Sequence, residues 1–227
     1  MLIGDSQAGS ISDGVLSATK SLNLDFVVWY NDGCPIFPRP TEERSDCPDY
    51  QNSIPEVIST VDPDLIIVAN KSSLYGMGGV QHGGLSIKNQ DGSIPDTYSE
   101  TIQMWTEGIQ EIFHTEIFSN SKILYVQQVP TSKPISPTLI RKSQSNGSFD
   151  LSFSSNRNEI VKEERQVLEG FANIEIFDPA ETLCPNGRCL ASINGSSLYS
   201  DENHLSPFGA EFMSPALGLI IQELLKI

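Results

Sequence analysis

The sequence is short of positive charge. Its 227 residues carry 14 Lys and Arg against 29 Asp and Glu, a formal net charge of −15. A surface this acidic repels phosphate backbones and anionic headgroups, which argues against nucleic acid as a partner and against docking on anionic lipid. No apolar run approaches the ~20 residues of a membrane span. No Cys-x-x-Cys spacing occurs, so the usual signature of a zinc site is missing, and neither a metal nor a cofactor is expected. Histidine is scarce, with three in the chain, so acid–base chemistry has few places to reside. There is no internal repeat and no sign of a second domain. A chain of this length can bury one sizeable core, and a single domain over 1–227 is the expectation.

What is present alternates. Asp25 to Tyr30, Leu65 to Ala69, Ile123 to Val126 and Ile174 to Phe177 are short, apolar and rich in β-branched or aromatic residues, as strands buried on both faces should be. Between them the sequence predicts helices at about 8–20, 49–60, 97–118, 157–171 and 207–226. The third carries Ile102, Trp105, Ile109, Ile112 and Phe113 at spacings of three and four, one apolar stripe. Such alternation predicts a parallel sheet with helices on both faces. Two stretches, 71–96 and 130–155, lack periodicity, and long irregular loops in a compact domain are commonly functional.

Four cysteines fall in two short-range pairs, Cys34 with Cys47 and Cys184 with Cys189, each in a Pro/Gly-rich loop. Two disulfides are the favoured reading and would place the chain in an oxidising, extracytoplasmic compartment. Four free thiols, or a metal site, remain open on spacing alone.

In an open parallel sheet, ligands bind beyond the carboxyl ends of the strands. After the first strand comes Gly4-Asp5-Ser6, after the second Gly33-Cys34-Pro35, after the third Asn70, and before the last helix Asp201-Glu202-Asn203-His204. A serine hydroxyl needs a base to become a nucleophile, and His204 is the candidate. That base needs an acceptor on its other nitrogen, and Asp201 lies a tight turn away. A tetrahedral oxyanion needs N–H donors: the backbone of Ser6 at a helix start, Gly33, where backbone can approach closely, and the Asn70 side chain. Taken singly each has a bland reading. Ser6 would be a helix N-cap, Asp201 and His204 a solvated loop ahead of an N-cap at Ser206, and Asn70 a strand-end residue. The conjunction, each residue after the right element, favours acyl transfer. His114 lies at the edge of its helix's apolar stripe and reads as structural. Gln81 and His82, with Asn89 and Gln90, lie in a loop able to meet sugar hydroxyls. Asn-x-Ser triplets at Asn70, Asn146 and Asn194 are common by chance in a Ser-rich chain, and a glycan on Asn70 would block the proposed oxyanion hole.

Gly-Asp-Ser near the start, a glycine and an asparagine after later strands, and Asp-x-x-His near the end resemble the SGNH (GDSL-type) hydrolases. The resemblance is closest to the SGNH domain fused to the C-terminus of acyltransferase-3 membrane proteins. It rests on Gly4-Asp5-Ser6-Gln7-Ala8, on Gly33-Cys34-Pro35 with Cys47 downstream, on the paired-cysteine loop Cys184 to Cys189, and on Asp201, His204, Leu205, Ser206, Gly209 and Ala210. It implies a flavodoxin-like three-layer α/β/α sandwich around a parallel sheet, a Ser6–His204–Asp201 triad, and acyl, usually acetyl, transfer involving a cell-envelope polysaccharide. The partners implied are an acyl donor, a glycan acceptor and an upstream transmembrane acyltransferase domain. Only Met1 to Ile3 precede Gly4, short of the ~5 residues of a typical strand, so the chain is expected to be a piece of a longer membrane-tethered protein. One departure stands out: the usual Gly-x-Asn-Asp is absent, and Asn70 is followed by Lys71-Ser72-Ser73. A freestanding secreted carbohydrate esterase would use the same residues, and a non-catalytic glycan-binding domain would keep the fold without the chemistry.

Overall fold

The computed structural model describes residues 1–37, 46–76, 93, 95–131 and 147–227, with backbone alone for Phe153, Ser155 and Asn156. In chain order the elements are β1 (Leu2–Gly4), α1 (Ser6–Ser21), β2 (Val28–Tyr30), α2 (Cys47–Val61), β3 (Ile66–Ala69), α3 (Ser72–Gly76), α4 (Tyr98–Phe113), α5 (Glu116–Ser119) and β4 (Ile123–Val126). There follow β5 (Ser148–Asp150), a 3₁₀ turn, α6 (Ser155–Leu168), β6 (Ile174–Phe177), α7 (Pro179–Leu183), β7 (Arg188–Leu190), β8 (Ser192–Ile193), β9 (Ser196–Ser197) and α8 (Pro207–Leu225).

Five strands form one sheet in the order β2-β1-β3-β4-β6, every pair parallel. This is the flavodoxin-like order, whose direction of winding reverses between β1 and β3. Period-two alternation sorts the side chains. Leu2, Ile67, Ala69, Leu124 and Val126 face α1 and α8, while Ile3, Ile66, Val68, Ile123 and Tyr125 face the layer of α2, α4 and α6. Central β3 and β4 are buried throughout, as near-continuous apolar runs require. β2 departs from the expectation of two-faced burial: all three residues are exposed, because it is an edge strand with one side unpaired. The other edge strand, β6, is only partly buried.

The expected helix over 97–118 is two helices. Thr97 and Glu100 form a reciprocal capping box at the start of α4. At its end Thr115 adopts an extended backbone and turns its hydroxyl onto the Ile112 carbonyl at 2.6 Å, so the chain restarts as α5. Ser6 is the first residue of α1 rather than its cap; Asp5 is the cap, accepting from the Gln7 N–H at 2.8 Å. The β8–β9 hairpin turns through Asn194 and Gly195, both at positive φ, the signature of a two-residue loop. Both cysteine pairs are disulfides, Cys34–Cys47 and Cys184–Cys189. The first ties the loop after β2 to the start of α2.

Contrary to the sequence expectation, α8 is long and apolar enough, by length and composition, to cross a membrane. In the fold it packs along α1, burying Gly209, Ala210, Met213, Leu217 and Ile221. Glycines permit two close approaches, of α1 to α8 and of α8 to the Leu198 segment. A Cβ at Gly14 would fall 2.2 Å from the Ala210 carbonyl oxygen, and one at Gly209 would fall 1.9 Å from that of Leu198. Gly14→Ala is therefore expected to lower stability by about 1–3 kcal/mol, the usual penalty of overpacking. Gly218→Ala, whose methyl would meet Ala18 at an ordinary 3.9 Å, should be neutral or mildly stabilising. Urea unfolding of the two variants beside the wild type checks the contrast.

Candidate active site

The residues that follow β1, β2 and β3 converge at the carboxyl edge of the sheet, where the winding reverses. Gly4 makes the first turn possible. It sits at φ +151°, and a Cβ there would lie 1.8 Å from the Ala69 carbonyl oxygen of β3, so no side chain fits. The chain then delivers Asp5 as cap and Ser6 as the opening residue of α1.

Asp5 is fully buried. One carboxylate oxygen caps α1; the other accepts from the Lys71 N–H and the Tyr75 hydroxyl, each at 2.8 Å. Burial pushes its carboxyl pKa up, against the pull of these donors. A single carboxylate thereby joins the Ser6 turn to the segment that follows β3. Tyr75 stacks on Trp105 with ring centroids 5.3 Å apart and planes 14° from parallel. The Trp105 indole N–H donates at 2.9 Å to Glu164 Oε1, which also accepts from the hydroxyls of Tyr125, at 2.8 Å, and Ser72. Glu164 is itself fully buried, and its other oxygen has no partner among the described residues. Burial drives its pKa upward, with the hydrogen bonds opposing.

His204 arrives from the far end of the chain. Its loop is pinned by a bridge between Tyr199 and Leu205, by the Ser200 N–H donating to the His204 carbonyl at 2.9 Å, and by Ser206 capping α8. It is held over α1 by Gln7 Nε2 donating to the Asn203 carbonyl at 2.9 Å and by the Leu205 N–H donating to Ser10 Oγ at 3.1 Å. The structure brings three of the candidate residues together. His204 Nε2 lies 2.8 Å from Ser6 Oγ, and His204 Nδ1 lies 2.7 Å from Asp201 Oδ2. The other Asp201 oxygen accepts from the Asn203 and His204 N–H groups at 2.7 and 2.8 Å. Partial burial alone would raise the Asp201 pKa, but the hydrogen bonds from the His204 ring and these two N–H groups together hold it below its ordinary value. A histidine so bridged can take a proton from the hydroxyl while the carboxylate balances the resulting imidazolium.

The donor candidates are placed as follows. The N–H groups of Ser6 and Gly33 donate to no acceptor among the described residues; Gly33 sits at φ +70° beside the Cys34–Cys47 bridge. Asn70 is buried. Its Oδ1 accepts from the Ile36 N–H at 3.3 Å, and its Nδ2 has no partner among the described residues. An unpartnered buried amide is uncommon and calls for a physical reason. Gln128 matches it: Oε1 accepts from the Ser73 N–H at 2.8 Å, and Nε2 is unpartnered among the described residues. Gln81 and His82, with Asn89 and Gln90, lie outside the described residues. His114 caps α4 and packs against Phe171 on the surface, away from this cluster. Among the described residues one group of potential metal ligands gathers, Cys34, Asp46 and Cys47; its two sulfurs are bonded to each other, so it has no thiolate to offer.

Tyr75, Glu164 and Gln128 escape the sequence reading, and Asp5 enters it only as part of Gly4-Asp5-Ser6, with no role of its own. For Gln128 a signal exists, a Gln-Gln pair directly after an apolar strand. Glu164 generates a prediction. Its pKa is raised from 4.5 by burial, so as pH rises past that value the unfolded chain releases the proton first and stability falls. Glu164→Gln removes this contribution while keeping the acceptor oxygen. The stability of the Gln variant relative to wild type should therefore increase between about pH 4 and pH 7, by denaturant unfolding at each pH. A difference independent of pH would show that Glu164 is ionised in the fold.

A sequence model described as "SGNH domain (fused to AT3 domains)" matches residues 1–218. No curated protein matches the chain. Several solved structures share its fold at low identity. The periplasmic domain of the Salmonella ser. Paratyphi A lipopolysaccharide acetyltransferase superposes with a TM-score of 0.68 at 18% identity, covering 96% of this chain and 81% of that one. A carbohydrate acetylesterase family member from Sinorhizobium meliloti gives 0.58 at 15%, covering 100% and 98%. The lipase/acylhydrolase from Enterococcus faecalis gives 0.56 at 15%, covering 99% and 95%. On the strength of the family match over nearly its whole length, this chain belongs to the SGNH-domain family of the kind fused to AT3 domains.

Proposed function

We propose that the chain is a serine-dependent O-acyltransferase module that moves an acyl group, in particular acetyl, onto a cell-envelope polysaccharide through an acyl-Ser6 intermediate. The observation that carries this reading is the unbroken relay from Ser6 Oγ through His204 to Asp201, at 2.8 and 2.7 Å. In the first half-reaction His204 Nε2 accepts the hydroxyl proton as Ser6 Oγ attacks the acyl carbonyl. The tetrahedral oxyanion is held by the N–H groups of Ser6 and Gly33 and by Asn70 Nδ2, which have no other acceptor among the described residues. Collapse expels the donor's leaving group, which takes the proton from His204. In the second half-reaction His204 deprotonates an acceptor hydroxyl, which attacks the acyl-enzyme and releases acylated glycan and free Ser6. Water in place of the sugar gives hydrolysis.

Two disulfides favour an oxidising compartment, and the family description favours an AT3 membrane domain as the tether and donor side. A freestanding carbohydrate esterase is the second reading, favoured by the full two-way coverage of the S. meliloti acetylesterase.

Ser6→Ala should leave the fold intact, since Asp5 and not Ser6 caps α1, and lower turnover of an activated acetyl ester by about 10⁴-fold or more. Unchanged turnover in a folded variant would sink the reading. Transfer and hydrolysis separate by product: with an acetyl ester as donor, the right envelope oligosaccharide should raise donor turnover and yield acetylated glycan at the expense of free acetate, by mass spectrometry. Free acetate as sole product with every acceptor, together with efficient deacetylation of acetylated glycans, would replace the transferase with the esterase.

A further inference from the structure

The edge strand carries side chains that the core does not use. Trp29 and Tyr30 are 42% and 45% exposed, with Val27 and Val28 beside them nearly as open. Tyr30 pairs in register with Gly4, two residues before Ser6, and its side chain turns to the α1 side of the sheet. There the ring lies directly on Gly9. A Cβ at Gly9 would stand 2.8 Å from Tyr30 Cε2 and Cζ and 3.2 Å from its hydroxyl. Gly9 is three residues beyond Ser6 in α1, so the position under the ring and the position of the nucleophile are neighbours on the helix surface, about 5–6 Å apart at Cβ. A glycine inside a helix costs about 1 kcal/mol relative to alanine. Here that glycine seats an aromatic ring that still keeps 45% of its residue's surface open to solvent. The ring is thus seated on one side by Gly9 and left open on the other, a surface free to take a ligand.

We propose that Tyr30 is the floor of the acceptor subsite, stacking on the apolar C–H face of a neutral pyranose whose hydroxyl is thereby presented to Ser6 and His204. The proposal rests on the glycan-transfer reading above and deepens it by naming the acceptor's chemical class. An aromatic ring offers the C–H face of a sugar a flat apolar surface. The surrounding charge selects among sugars. Asp13, one turn beyond Gly9, Asp32, two residues along the chain, and Asp201 and Glu202 in the His204 loop are all exposed, and the chain's net charge is −15. Uronate or phosphorylated sugars would meet like charge, whereas neutral sugars would not. Trp29 alternates to the opposite face of the sheet, with Ile3 as register partner, and is not part of this floor.

The test uses the 227-residue chain with 4-nitrophenyl acetate as donor and β-1,4-linked tetrasaccharides of glucose, N-acetylglucosamine and mannose as neutral acceptors, with a tetrauronate for comparison. For the best neutral acceptor, Tyr30→Ala should raise KM about tenfold, the worth of one aromatic contact, and the effect should fall on KM rather than kcat. Tyr30→Phe should restore the wild-type KM, and Gly9→Ala should mimic Tyr30→Ala by lifting the ring. Trp29→Ala, equally exposed on the other face, should leave KM unchanged. Saturation-transfer NMR with the same sugars reports binding without turnover, and a fluorophosphonate probe reports separately whether Ser6 is activated. Labelled Ser6 with sugar binding indifferent to Tyr30→Ala overturns the subsite and leaves the enzyme reading standing. Sugar binding abolished by Tyr30→Ala with Ser6 unlabelled does the reverse. A wild type that binds no neutral tetrasaccharide, a preference for the tetrauronate, or an equal effect of Trp29→Ala also overturns the subsite.

Discussion

One buried carboxylate ties the serine turn to the chain that follows β3. Asp5 sits where β1 and β3 part and has no access to solvent. One of its oxygens starts the helix that begins with Ser6, and the other grips the chain immediately after Asn70 through Lys71 and Tyr75. Hydrogen bonds to a charged group contribute about 1.5–3 kcal/mol each, here set against the desolvation that raises the Asp5 pKa. The balance fixes the serine and the asparagine amide relative to each other with no loop between them to flex. Tyr75 passes the constraint on to Trp105 and Glu164. The polar network under the site is therefore continuous from α1 through α3 to α4 and α6.

The histidine depends on a different kind of constraint, steric rather than electrostatic. Gly14 lets α1 approach α8, and Gly209 lets α8 approach the Leu198 segment, at distances that no side chain would permit. That closeness lets the loop before α8 hook onto α1 through Gln7 and Ser10. Residues nearly two hundred positions apart in sequence can then share a hydrogen bond of 2.8 Å. The Gly-Ala pair at 209–210, which sequence offers only as part of a family string, has a physical role: Gly209 leaves room for the Leu198 carbonyl, and the Ala210 carbonyl lies where only a glycine at position 14 fits.

Much of this is legible in the sequence because the signals are local. Short apolar runs mark the strands of the main sheet, and the candidate site residues simply follow those runs along the chain. Burial is less legible. Asp25 to Tyr30 reads like a central strand, and nothing in its periodicity says that its outer side is unpaired. The break at His114 and Thr115 escapes because the apolar stripe runs on through Ile117 and Phe118 while a side-chain hydrogen bond ends the helix. The Asn194-Gly195 turn is readable as a hairpin signal, yet the same residues also form a glycosylation triplet, which draws the eye first. The roles of Asp5, Tyr75 and Glu164 are invisible for a deeper reason. Each is an ordinary polar residue whose meaning comes from partners 39 to 92 positions away, and no short window of sequence contains both ends of such a bond.

The central claim is that the hydroxyl held against His204 carries the acyl group. Brief mixing with an activated acetyl ester, acid quench and peptide mass spectrometry tests it most directly. The account predicts one added acetyl group on the peptide containing Ser6, gained within a turnover, released on continued incubation and absent in His204→Ala. An active protein that accumulates no acetyl on Ser6, or carries it on another residue, would contradict it.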